Sequence, residues 1–215
     1  MIAAFFDMDE TLIGVNSARL WIEHMWRTGE LRTRDLLKSL VWLVGYRLAL
    51  VDVRRVAQDA ALLLEGASEE ETAQRVEDWY AEAVRPHVIP EMVEIVEDHR
   101  RRGHRLVLLT ASSPYVARPL VRDVGLDDLL CTRFEVVEGV FTGRIEVPMC
   151  YGSGKVELSE RWARRHGVDL DASWFYTDSY TDRPMLERVG RPVAINPDPR
   201  LSRWARSRGI ETRSF

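Results

Sequence analysis

Two aspartates one residue apart, Asp7 and Asp9, stand at the end of a short apolar run, IAAFF (2–6). A chain that curls just after the run can turn both carboxylates into one crevice. Carboxylates that close repel each other unless a cation comes between them or one holds a proton. The pair therefore suits either a divalent metal or acid catalysis by one member. Asp178 and Asp182 follow another apolar run, SWFYT (173–177). If a helix begins there, their spacing puts both on one face. Thr110 ends a third run, RLVLLT (105–110). Its hydroxyl, with amide groups of the turn through Ala111 and Ser112, can hold a phosphate oxygen at a helix N-terminus. Lys155, at a helix start, offers a compact ammonium able to neutralise a carboxylate and a phosphoryl oxygen together. Four converging carboxylates with one Lys and one Thr make a site for a hard cation. Mg2+ takes one or two carboxylates plus waters and phosphate oxygens.

Taken singly, each residue also has a plainer role. Aspartates cap helices and populate acidic turns, and Pro114 marks an ordinary first helical turn after Thr110. Tyr151-Gly152-Ser153-Gly154-Lys155 invites comparison with a nucleotide-binding loop. The comparison fails: Met149 stands six residues before the Lys where Gly belongs, and Val156 follows instead of Ser or Thr. The Lys itself is unusual here. Of 30 Lys+Arg only Lys38 and Lys155 are lysine, so a chain that uses arginine almost everywhere has an ammonium at this one helix start.

The elements that must position these groups are legible as an alternation. Apolar runs at 2–6, 105–110, 173–177 and 192–196 are each followed by helical periodicity. Continuous apolar strands alternating with helices predict an α/β fold, a Rossmann-like parallel sheet core with helices on both faces. Ligands then bind outside the carboxyl ends of the strands, where the residues above fall. Residues 14–85 break the rhythm. Leu20, Trp21, His24 and Met25 fall at helix-face spacing, as do Val56, Ala60, Leu63 and Leu64. Ser68 with Glu71 reads as a helix start. The expectation is a helical insert over 14–85 in a core of 1–13 and 86–215. TRFEVVEGVFTGRIEVP (132–148) reads as a hairpin turning at Glu138-Gly139.

Composition excludes several classes. With 30 Lys+Arg against 34 Asp+Glu and a formal charge of −4, the chain lacks the basic stripe of a nucleic-acid binder. The most apolar stretch, 39–46, is far short of the roughly 20 residues a membrane span needs. The N-terminus lacks a signal peptide's basic region. Two cysteines, Cys131 and Cys150, do not form a disulfide scaffold and suit a reducing cytoplasm. The five histidines show no metal-ligand spacing. Nothing specifies an oligomeric state.

The joint order D-x-D-x-T, Thr, Lys, D-x-x-x-D, each after a strand, resembles the haloacid dehalogenase-like (HAD) superfamily. FFDMDETL matches its first motif, LLTASS its second, Lys155 its third and YTDSYTD its fourth. The insert after the first motif is similar to the C1 cap of subfamily IB, the phosphoserine-phosphatase-like hydrolases. The resemblance implies a Mg2+-dependent phosphatase for a small phosphorylated metabolite. In it Asp7 is the nucleophile that becomes an aspartyl phosphate, and Asp9 is the acid and then the base. Mg2+ is held by Asp7, Asp178 and the Asp9 backbone carbonyl. Thr110, Ala111 and Lys155 bind the phosphoryl group, and Asp182 holds a metal-bound water or orients the Lys. Dehalogenase members lack an Asp at the position of Asp9, which favours phosphoryl chemistry. A receiver module of two-component signalling shares the residue types but is shorter and has no insert. Phosphoserine phosphatases carry a Glu nine residues after the nucleophile, where this chain has Asn16, and read G-D-G-x-N-D in the fourth motif. The implied substrate is therefore a related small phosphomonoester, with phosphoserine and histidinol phosphate as the alternatives. Asn16, Ser17, Trp21 and Ser112 are the candidate leaving-group contacts. The tryptophans Trp26, Trp42 and Trp79 raise an apolar substrate as a lesser option.

Overall fold

The computed structural model describes residues 1–30 and 53–215. Lys38, Trp42 and the apolar stretch 39–46 lie outside the described residues. Strands β1 (Ala3–Phe6), β2 (Arg105–Thr110), β3 (Asp128–Cys131), β6 (Trp174–Thr177), β7 (Arg191–Ile195) and β8 (Glu211–Arg213) form one sheet in the order β3-β2-β1-β6-β7-β8. Every neighbouring pair is parallel. β1 is thus central, between β2 and β6, and the three strands that end in site residues are adjacent. Their side chains alternate between two apolar layers. Phe6, Leu106, Leu108 and Tyr176 face one, and Phe5, Val107, Leu109 and Phe175 face the other. Burial on both faces is why these strands read as unbroken apolar runs.

Among the described residues the helices are α1 (Ser17–Arg27), α2 (Val53–Leu63), α3 (Glu69–Trp79), α4 (Pro90–Arg101), α5 (Pro114–Val124), α6 (Ser153–His166), α7 (Arg183–Arg188) and α8 (Pro199–Arg208). Ser68 caps α3 by accepting from the Glu71 amide at 3.3 Å, as its spacing to Glu71 predicts. A π-turn, Tyr80–Val84, and a 3-10 turn, Arg85–His87, lie between α3 and α4. β4 (Phe134–Val137) and β5 (Val140–Ile145) form the expected antiparallel hairpin. Glu138 and Gly139 turn it with φ of 50° and 78°, the left-handed pair a tight hairpin needs. Among the described residues no helix is long and apolar enough to cross a membrane.

Two departures concern the sheet's edges. β3 and β8 are not legible as apolar runs. β3 is half-buried, and all three residues of β8 are exposed. Behind the central strands lies a buried polar chain. His99 Nε2 is 2.8 Å from the Tyr176 hydroxyl, and His99 Nδ1 is 2.8 Å from His104 Nδ1. Burial, followed by the neighbouring His104 and Arg102, lowers the His99 pKa from 6.5 to about 4, so the ring is neutral at ordinary pH.

Candidate active site

The first motif is shaped by an immediate curl after β1. The Asp7 amide still donates to the Tyr176 carbonyl at 2.9 Å, and the chain then turns. The amides of Thr11, Leu12 and Ile13 all point at the Met8 carbonyl, at 3.3, 2.9 and 3.1 Å. Glu10 sits in the left-handed region at φ 55°. The curl brings Asp7 and Asp9 to one polar cavity of about 60 Å³, which Thr110, Ala111, Lys155, Asp178, Asp182 and Asn16 also line. Eight of the eleven residues singled out in the sequence therefore meet in one place.

Lys155 is the centre of the cavity's charge pattern. Its ammonium, 2 % exposed, donates to Asp7 Oδ1 at 2.9 Å and to Asp182 Oδ2 at 2.6 Å. The two glycines before it have separate structural reasons. Gly152 takes φ +53°, and a Cβ on Gly154 would sit 1.9 Å from the Met149 carbonyl oxygen. The Gly-rich stretch thus lets the chain turn tightly into α6, placing Lys155 in that helix's first turn. The 3-10 turn Tyr180–Asp182 precedes α7. Asp178 and Asp182 accordingly do not share a helical face, and a tighter turn converges them. Ser179 caps that turn, its Oγ accepting from the Thr181 amide at 3.3 Å. The Thr11 hydroxyl donates to Asp178 Oδ1 at 3.4 Å.

One ammonium does not balance the buried acids. Burial lifts the Asp7 carboxyl to about 7 although Lys155 pulls it down, and Asp182 and Asp9 add to the rise. Burial also lifts Asp9 to about 6, opposed by its bonds to Ser17. Asp178 is pushed well above the usual carboxylate range by burial and by Asp7 and Asp182. For Lys155 burial works against the charge, but Asp182 and Asp7 outweigh it and hold the ammonium above its ordinary range. The donors of this cavity are oxygens and its charge is in excess of negative, which fits a hard divalent cation. Among the described residues no three acidic, His or Cys side chains form a ready-made cage. Mg2+ does not require one, because it keeps waters and shares its shell with substrate phosphate.

The other candidates fall elsewhere. Ser17 does not line the cavity; its amide donates to Asp9 Oδ1 at 2.9 Å, and its hydroxyl is 3.4 Å from that of Ser112. The Ser112 amide donates to Thr110 Oγ1 at 3.1 Å. Trp21 packs edge-on against Trp79, with ring centroids 5.0 Å apart, and stacks on His24. It belongs to the packing of α1 against α3, as aromatic residues on helices usually do. Thr177, Tyr151 and Asp198 were not among the candidates, and Thr11 entered only as the last residue of D-x-D-x-T. The Asp198 carboxylate caps α8 through Arg200 and Leu201 and also accepts from the Tyr180 amide at 2.7 Å, tying that helix to the turn after Asp178. Thr177 carried one signal: like Thr110, it is the polar end of an apolar strand.

The model of the haloacid dehalogenase-like hydrolase family matches residues 4–187, from β1 into α7. The chain belongs to that family. It is therefore an enzyme, a HAD hydrolase, and several of its relatives bear phosphatase names. It is 35% identical over 217 residues to the phosphoserine phosphatase SerB1 of Mycobacterium tuberculosis, covering 99% of this chain and 70% of that one. It is 25% identical to a histidinol-phosphatase of Neisseria meningitidis, covering 99% and 98%. Among solved structures, a protein of unknown function from Bordetella pertussis Tohama I superposes with a TM-score of 0.88 at 31% identity, covering 98% of this HAD chain and 96% of that one. The parallel six-stranded sheet with helices on both sides is the HAD fold.

Proposed function

We propose that the protein is a Mg2+-dependent phosphomonoesterase that hydrolyses a small phosphorylated metabolite through an aspartyl phosphate on Asp7. The observation that carries this reading is the Lys155 ammonium, buried between Asp7 and Asp182 on the cavity that Asp9, Thr110 and Asp178 complete. An Asp7 oxygen attacks phosphorus as the bond to the leaving oxygen breaks, and the Asp9 carboxylic acid protonates that oxygen. Asp9, now a carboxylate, takes a proton from water as the water oxygen attacks the acyl phosphate. Phosphate leaves and Asp7 is restored. An Asp9 carboxyl raised to about 6 is suited to both directions of transfer near neutral pH. Lys155 and the Thr110 hydroxyl stabilise the charge that spreads over the phosphoryl oxygens. The Asp7 and Asp178 carboxylates and the Asp9 carbonyl would hold Mg2+, which supplies further neutralisation of phosphoryl charge when bound.

The helical insert over 14–85 acts as the cap in this reading. Asn16, the N-cap of α1, is its contribution to the cavity wall and the contact closest in kind to a substrate amine or hydroxyl. Two relatives are named for amine-bearing phosphates, phosphoserine and histidinol phosphate, which supports these two as the alternatives to weigh within the small-metabolite class. Asn16 in place of a Glu weakens the pairing with a cationic amine that phosphoserine would use. Buried free Cys131 and Cys150 suit a reducing cytoplasm. A panel of phosphometabolites assayed with Mg2+ and with EDTA tests the proposal. Phosphate release from at least one ester, abolished by EDTA, is expected; folded protein that releases none refutes it.

A further inference from the structure

We infer that Thr177, the last residue of β6, is a positioning residue that sets how Lys155 is shared between Asp7 and Asp182. Thr177 is fully buried, yet its hydroxyl is committed twice. It donates to Asp182 Oδ2 at 2.7 Å and accepts from the Ser179 amide at 3.2 Å. Asp182 Oδ2 is the same oxygen that takes the Lys155 ammonium at 2.6 Å. One carboxylate oxygen therefore carries two donors, one charged and one neutral.

This arrangement has a consequence for the ammonium. A lysine has three N–H donors. Two go to Asp7 Oδ1 and Asp182 Oδ2, and one remains for a phosphoryl oxygen. Asp182 is buried and would hold the ammonium harder if it lost its second donor, at the expense of the side facing Asp7. The Thr177 hydroxyl takes up part of that carboxylate's charge and pins its orientation. Its bond to the Ser179 amide also fixes the residue that follows Asp178. Thr177 touches none of the reacting atoms and acts through Asp182 and Lys155. The inference rests on the proposed phosphoryl-binding role of Lys155.

The test uses the full chain, p-nitrophenyl phosphate and Mg2+. Thr177→Val keeps the shape of the side chain and removes the hydroxyl. Loss of one hydrogen bond to a charged group predicts a kcat lower by roughly ten- to a hundredfold, with KM changed by less. Thr177→Ser restores the donor and should recover most of the lost kcat. In an Asp182→Asn background, Thr177→Val should add little further loss, because the two residues act as one unit. Thr177→Ala serves as the second truncation, and circular dichroism confirms that each variant is folded. Equal kcat in folded wild type and both truncations overturns the inference alone, as does full additivity with Asp182→Asn. A wild type that hydrolyses no phosphomonoester overturns the phosphatase reading and this inference with it.

Discussion

Replacing Lys155 by Met tests the charge arrangement directly, because the two side chains are close in length and the packing is retained. The ammonium makes two hydrogen bonds, to Asp7 at 2.9 Å and to Asp182 at 2.6 Å. The carboxylates it leaves behind are unequal. Asp7 keeps 12 % side-chain exposure, whereas Asp182 keeps 2 %. The uncompensated charge is thus mainly that of Asp182, with the Thr177 hydroxyl as a remaining donor. Removing one partner of a buried ion pair costs about 3–5 kcal/mol. For a domain of this size that is roughly 6–20 °C in Tm. The loss depends on pH with a definite sign. Buried carboxylates without a cation take up protons more readily than in the unfolded chain, so the variant loses stability as pH rises. Asp7, raised to about 7 by burial even with Lys155 beside it, moves further up in the variant. Urea unfolding in EDTA should show the full deficit at pH 8 and a clearly smaller one at pH 5. A variant as stable as wild type at pH 8, or a deficit that grows on acidification, refutes the reasoning.

Lys155→Arg keeps the charge, but the planar guanidinium is too large for a position enclosed by Phe175, Asp7 and Asp182, and kcat should fall by about a hundredfold or more. Asp7→Asn should abolish turnover, and Asp9→Asn should lower it by roughly 10²–10⁴ while Mg2+ still binds by titration; full activity in Asp9→Asn removes it as the acid. His99 has a folded value near 4 against 6.5 unfolded, so its neutral form stabilises the fold above pH 6.5 and that contribution is lost as pH falls toward 4. It amounts to about 3 kcal/mol at most, and urea midpoints of His99→Gln should lack that part of the wild-type slope. Asp198→Ala should cost about 1–2 kcal/mol through the lost α8 cap, read by thermal unfolding.

The central strands and three of the four motifs were legible for one physical reason. A strand buried on both faces must be apolar throughout, so Asp7, Thr110 and Asp178 stand out at or just past its carboxyl end. The same logic hides β3 and β8, which are short, lie at the edges and carry half-exposed or exposed residues. Within the site, residue type pointed to the acids and to Lys155. The pairing of Lys155 with both Asp7 and Asp182 depends on how α6 and the turn after β6 pack together. A four-residue spacing reads as one α-helical face, but the Ser179 cap and the Pro184 at the start of α7 favour a 3-10 turn first. The role of Trp21 was open in the sequence for a similar reason. An aromatic residue on an amphipathic helix looks alike whether it meets a substrate or another ring, and here it meets Trp79.

The outer edge of the sheet bears on how the protein behaves in concentrated solution. β8 is three residues long, wholly exposed, and ends in an Arg213 paired to its own Glu211 at 2.6 Å. A foreign strand arriving there finds few free main-chain groups and two charges to desolvate. A chain that is 46% hydrophobic therefore closes its sheet on this side with a charged, self-limiting border that offers a poor template for stacking.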